Sequence, residues 1–81
     1  MNKEAKAELA RTRHSKFLRR NGAHAISVEQ VKEGKGKTFA VVAMFDDEPS
    51  SDLPKDLLVN TDGHEDKVPL VVRREERFHL D

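Results

Sequence analysis

The 81-residue chain contains no cysteine, tryptophan or tyrosine, and only four phenylalanines. Without cysteine there can be no disulfide and no thiolate zinc site. Without tryptophan or tyrosine there is little from which to build a stacking platform for single-stranded nucleic acid. No stretch approaches the roughly 20 consecutive apolar residues that a membrane helix needs. The first residues carry Lys3, Glu4 and Lys6 and no apolar segment of the secretory kind. These absences lead us to expect a cytoplasmic protein with no membrane partner. One domain of this size has a marginal core, and without disulfides support has to come from a metal or a partner.

What is present is charge and one hydrophobic run. Charged residues make up 37% of the chain and the formal net charge is zero, so no excess of one sign dictates a polyanionic or polycationic partner. The charges are nevertheless segregated. Residues 1–20 carry a net +5, residues 21–45 +1, residues 46–66 −7 and residues 67–81 +1. A basic end is thus joined to an acidic middle. The two either attract one another within a fold or between copies, or one of them is a docking surface.

The hydrophobic run is Thr38-Phe39-Ala40-Val41-Val42-Ala43-Met44-Phe45. It is rich in β-branched and aromatic residues and is bounded by a glycine-bearing segment and a proline-bearing one, the pattern of a strand. Phe39, Val41, Ala43 and Phe45 would point to one face, and Ala40, Val42 and Met44 to the other. Neither set carries a charge, so we expect a central strand covered on both sides.

Around it the chain divides into a basic helix over 1–20, a β-hairpin over 23–45, an acidic loop over 46–56, C-terminal strands over 57–73 and a tail over 74–81. Residues 3–20 contain no Gly or Pro; Asn2 suits the N-cap, Glu4 the first turn, Arg19 and Arg20 the last, and Asn21-Gly22 the stop. Leu9, Ala10, Phe17 and Leu18, with Ala5 or Ala7, make a narrow apolar stripe that His14 joins. Ala23 to Val31 reads as a less buried strand, with Ile26 and Val28 on one face beside His24, and Ala25, Ser27 and Glu29 on the other. Lys32 to Lys37 reads as the hairpin turn. Leu57-Leu58-Val59 and Lys67 to Arg73 read as strands joined by a turn over 61–66 built on Asp-Gly. Pro69 has no N–H to donate, so the last strand is expected at an edge or starting nearby. The fold class is therefore α+β: an N-terminal helix packed on a small, mostly antiparallel sheet of three to four strands.

Chemistry-bearing patterns are sparse. His14, His24, His64 and His79 form no pair at metal-ligand spacing. Asp62, His64, Glu65 and Asp66 share one predicted turn but lack the alternating twelve-residue calcium pattern. Asp46-Asp47-Glu48 has no apolar surroundings to raise a carboxyl pKa. Gly34-Lys35-Gly36-Lys37 lacks P-loop spacing and precedes a strand instead of a helix. No serine sits in a nucleophile elbow. No catalytic, cofactor or metal residue is assigned. The candidate interaction surface comprises Arg11, Arg13, Lys16, Arg19 and Arg20 on the helix, with Asp46, Asp47 and Glu48 after the central strand. The expected function is a non-enzymatic interaction or accessory domain whose partner is a protein or a second copy. The alternative is nucleic-acid binding along the basic helix.

The order Phe17-Leu18-Arg19-Arg20-Asn21-Gly22, Ala25-Ile26-Ser27-Val28, a glycine turn, Phe39 to Phe45, an acidic loop with Leu53-Pro54, Leu57 to Val59 and Val68-Pro69-Leu70-Val71-Val72 resembles the small N-terminal segment that precedes the peptidase domain in some bacterial trypsin-like serine peptidases. The resemblance spans roughly residues 17–73. The peptidase domain is absent, with no Gly-Asp-Ser-Gly-Gly motif, and the alternating-glycine first strand of those segments is replaced here by Ala25-Ile26-Ser27-Val28. The resemblance implies an accessory module and transfers no catalytic residue.

Overall fold

The computed structural model describes residues 2–46 and 53–74. The order is α1 (Lys3–Arg20), β1 (Ala23–Glu33), β2 (Gly36–Phe45), β3 (Asp56–Thr61) and β4 (His64–Arg74). The expected α+β architecture is present: one helix lies on a four-stranded, mostly antiparallel sheet.

Helix α1 begins where the Asn2 side chain accepts a 2.7 Å hydrogen bond from the Ala5 N–H, satisfying one of the free donors of the first turn. It ends at Asn21, whose side-chain amide donates to the Phe17 carbonyl at 2.8 Å. Gly22 follows at φ +107° and its N–H bonds the Arg19 carbonyl. Ala7, Ala10 and Leu18 are the helix residues that become fully buried, and their spacings, about one and about two turns, keep them on one face. Phe17, expected in that stripe, lies at its margin and is 43% exposed.

The sheet order is β1-β2-β4-β3. β1 and β2 pair antiparallel through the two-residue turn Gly34-Lys35, from Glu33↔Gly36 up to Ala23↔Phe45. A bulge between Ala23 and Ala25 makes His24 an extra residue. It puts Ala23 into the core ahead of Ile26 and Val28, so the plain alternation is broken at His24. After β2 the chain lays down β3 on the outer edge and returns β4 into the space between. β4 is therefore antiparallel to β3 but parallel to β2. The β3–β4 turn is Asp62-Gly63 alone, with φ of 49° and 81°. Two consecutive positive φ angles define the hairpin turn that matches strand twist, for which Asp-Gly is a favoured pair. His64, Glu65 and Asp66, expected in that turn, are strand residues.

Pro69 does not mark an edge strand. Its strand starts at His64 and is interior, not an edge. The Leu70 N–H bonds the Lys55 carbonyl on the β3 side at 2.9 Å. Donors alternate along a strand, so the nitrogen of Pro69 faces β2. The β2–β4 ladder runs only from Val41↔Leu70 to Phe45↔Arg74. Proline sits just before the first paired residue, where β4 has no β2 partner to donate to.

The core lies between helix and sheet. Ala7, Ala10 and Leu18 meet Val41, Ala43 and Phe45 of β2, Val68 and Leu70 of β4 and Leu57 and Val59 of β3. His14 adds a polar tie at this level, its Nε2–H donating to the Leu58 carbonyl at 2.8 Å.

Candidate functional site

Period two gives the sheet a second face, opposite the helix. On β2 it presents Thr38, Ala40, Val42 and Met44. The register sets Ala25, Ser27, Glu29 and Val31 of β1 beside them on one flank, and Val71 and Arg73 of β4 on the other. Ala40 and Val42 are fully buried yet stand outside the helix-side core. Among the described residues no element packs on this face. Strand β2 was expected to be covered on both sides: α1 covers one, and on the other Thr38, Ala40 and Val42 are also buried, although no helix or strand packs there among the described residues.

One ion pair crosses the face. Glu29 is opposite Ala40 and Arg73 opposite Met44. Both reach toward the middle of the face, and an Arg73 guanidinium nitrogen donates to both Glu29 carboxylate oxygens at 3.2 Å. The Ser27 hydroxyl donates to Glu29 as well, at 3.2 Å. Around this strap Ala25, Val31, Met44 and Val71 remain half-buried.

Arg13, Lys16, Arg19 and Arg20 are exposed and form no ion pair among the described residues. Arg11 is tied to Glu8 at 2.9 Å. The acidic candidates begin at Asp46, at the end of β2, beside the C-terminal end of α1; its carboxylate is 3.5 Å from His24 Nε2. Asp47 and Glu48 lie outside the described residues. Charges segregated along the sequence therefore converge in space, because α1 ends where β2 ends.

Two further features come from tertiary placement. A shallow apolar hollow of about 310 Å³ is lined by His14, Phe17, Pro54, Leu57 and Leu58, with Leu58 46% exposed. At the opposite end, where β2 and β4 diverge below Val41 and Leu70, a cleft of about 570 Å³ opens. Its walls include Phe39, Val68 and Pro69, and Lys3, Lys6, Lys32 and Lys67 stand around it. Sequence reasoning missed this cleft because its lysines are scattered over 64 positions. It also missed Glu29–Arg73 as a pair, which only the strand order brings together.

At the same end Asp66 accepts from the Thr61 hydroxyl at 2.9 Å, and Lys6 approaches the same oxygen at 3.4 Å. The Thr61 hydrogen bond foremost, then Lys6, holds its carboxyl below the ordinary carboxylate range. A depressed carboxylate pKa gives stability that is present above the unfolded value and is lost as pH falls through the folded one. The effect should be small, since the group is exposed. In urea titrations, Asp66→Asn should flatten the fall in stability of the native chain below about pH 4. An unchanged acid limb would show that this contact contributes nothing.

Among the described residues no group of three or more His, Asp or Glu side chains is placed to hold a metal ion, and no helix is long and apolar enough to cross a membrane. No family model, curated protein or solved structure matches the chain.

Proposed function

We propose that the chain is a non-enzymatic interaction domain that pairs with a second copy of itself through the open face of its sheet. The observation that carries this reading is the half-buried apolar rim of Ala25, Val31, Met44 and Val71 around Ala40 and Val42, with no helix or strand packed on it among the described residues. The strap across it favours a second copy over a foreign partner. Glu29 lies two residues to one side of Val42 and Arg73 two residues to the other. A two-fold axis running between facing sheets, over Val42, places Glu29 of one copy opposite Arg73 of the other. An isologous interface needs this self-complementarity. A small core of 81 residues gains the most from such pairing. A cysteine-free composition is in keeping with the cytoplasm, and an accessory role beside a larger domain is compatible with the same surface.

Sedimentation velocity at tens of micromolar should give a dimer. Val71→Lys should give a monomer with unchanged helical circular dichroism, since Val71 is half-buried and off the helix-side core. Glu29→Arg or Arg73→Glu alone should weaken association about tenfold or more, equivalent to about 1.4 kcal/mol, and the double exchange should restore it. A wild-type monomer at about 100 μM, a concentration that populates complexes of micromolar affinity, would refute the proposal.

A second reading rests on Arg13, Lys16, Arg19 and Arg20, four exposed helix cations without an ion pair among the described residues. These would lie along a phosphate backbone, and affinity would fall steeply with salt. On that reading Arg13→Glu with Arg20→Glu should abolish binding to duplex DNA or RNA at low salt. Unchanged affinity would eliminate it.

A further inference from the structure

The cleft between the N-terminal halves of β2 and β4 differs in kind from the open face. Gly36 to Ala40 of β2 pair with β1 on one side and have no ladder partner on the other among the described residues. Unpaired backbone donors and acceptors along a strand form a template for another strand. Five residues at about 3.3 Å each give it a length of roughly 16 Å. The ladder stops where it does because Pro69 turns a nitrogen without a proton toward β2. Proline thus keeps β4 from closing over this stretch.

The walls supply the rest of a recognition site. Val31, Phe39, Val68 and Val71 are apolar, and the volume of about 570 Å³ falls within the range of about 300–1,000 Å³ typical of ligand sites. Lys3, Lys6, Lys32 and Lys67 outnumber the two carboxylates there, Glu33 and Asp56. Lys6 is engaged with Asp66, whereas Lys3, Lys32 and Lys67 have no ion pair among the described residues. A free strand edge, apolar walls and a cationic rim together specify one kind of occupant.

We propose that this cleft receives an extended acidic peptide, which adds as a short strand along the free side of β2. Main-chain hydrogen bonds to Gly36–Ala40 supply the affinity, alternate apolar side chains enter between Phe39 and Val68, and alternate carboxylates meet the lysines. The site shares Thr38, Val31 and Val71 with the face of the proposed self-association, but the strap and Ala25 lie outside the cleft, and the cleft lysines lie outside the strap.

The test uses the full chain and a blocked hexapeptide of alternating glutamate and valine, with its lysine–valine counterpart as control. Titration followed by amide chemical shifts should move Gly36 to Ala40 most and slow hydrogen exchange at Lys37 and Phe39, whose amides face the free side. Lys32→Glu with Lys67→Glu should weaken binding at least tenfold. Ala25→Glu, which disrupts the open face, should leave peptide affinity unchanged, so failure of self-association and failure of the cleft are read separately. Equal affinity for the lysine peptide, shifts confined to the outer edge of β1, saturation of the same amides by inorganic phosphate at equal affinity, or no binding at millimolar peptide would each overturn the proposal.

Discussion

Leu18→Ala should cost about 2–5 kcal/mol, the range for removing a leucine side chain from a packed core. Leu18 is fully exposed to the sheet and not at all to water, and it is the one large side chain that α1 buries completely. Its partners in that burial, Ala7 and Ala10, contribute one methyl each. An 81-residue domain has roughly 4–12 kcal/mol of stability in all, so this single truncation removes a large fraction of it. The helix should loosen first, because only Ala7, Ala10, the partly buried Leu9 and the His14–Leu58 contact would remain to hold it against the sheet. Urea unfolding followed by circular dichroism should show a midpoint lower by about 1–3 M. Phe17→Ala is the control. Phe17 is larger but 43% exposed, and its loss should cost under about 1 kcal/mol, since much of its surface already meets water. If Phe17→Ala proved the more damaging of the two, the helix would be rotated by one position relative to the sheet described here.

The same pair shows how far the amino-acid sequence carries. Periodicity placed Phe17 and Leu18 together in one apolar stripe, since they lie only 100° apart on a helix. Which of them enters the core depends on where the sheet ends beneath α1. Local signals were legible where local energetics decide: Asn2 as cap, Asn21-Gly22 as stop, the glycine turn of the first hairpin and Asp62-Gly63 in the second. The two faces of β2 followed from alternation alone. Illegible were the strand order and everything resting on it. The insertion of β4 between β2 and β3 is a long-range choice, and it turned Pro69 from a mark of an edge into the terminator of one ladder. It also joined Glu29 to Arg73 across 44 positions and opened the lysine-rimmed cleft. The bulge at His24 was equally hidden, because one extra residue shifts the pattern without changing its composition.

The charge pattern is informative for the same reason. A chain with a basic N-terminal segment and an acidic middle suggests two poles. In the fold, α1 and β1 run in opposite directions across the same sheet, so Arg19 and Arg20 finish beside the strand end from which Asp46 leaves. Lys6, at the other end of α1, meets Asp66 at the start of β4. Opposite charges thus pair at the first end of the helix, Lys6 with Asp66, whereas at the other Asp46 lies against His24. This leaves the apolar strip and its self-complementary strap, not an electrostatic pole, as the best support for a partner surface.

Gly22→Ala should destabilise the chain by about 1–3 kcal/mol, the cost of holding a residue with a Cβ in a sparsely populated backbone region. Gly22 sits at φ +107°, beyond the small left-handed well that side-chain-bearing residues can enter. The strain is of the backbone: an added Cβ would meet the Phe45 ring at 3.5 Å, an ordinary contact. Relaxing φ is not open to the chain, because this residue turns it from α1 straight into β1. Its own N–H is bonded to Arg19, and Ala23 one residue later is already in the core. Moving Gly22 would therefore disturb the Ala23–Ala25 bulge and the first pairs of β1 with β2. Gly22→Val should be worse than Gly22→Ala, since a branched side chain crowds Phe45 in addition to the strain. Asn21→Ala, which removes only the side-chain bond to the Phe17 carbonyl, should cost about 1 kcal/mol or less. Urea midpoints for the three variants should fall in that order, with hydrogen exchange accelerated most at Ala23 to Ile26 in the Gly22 variants. A Gly22→Ala protein as stable as the parent would mean that the junction reaches β1 through a different backbone path.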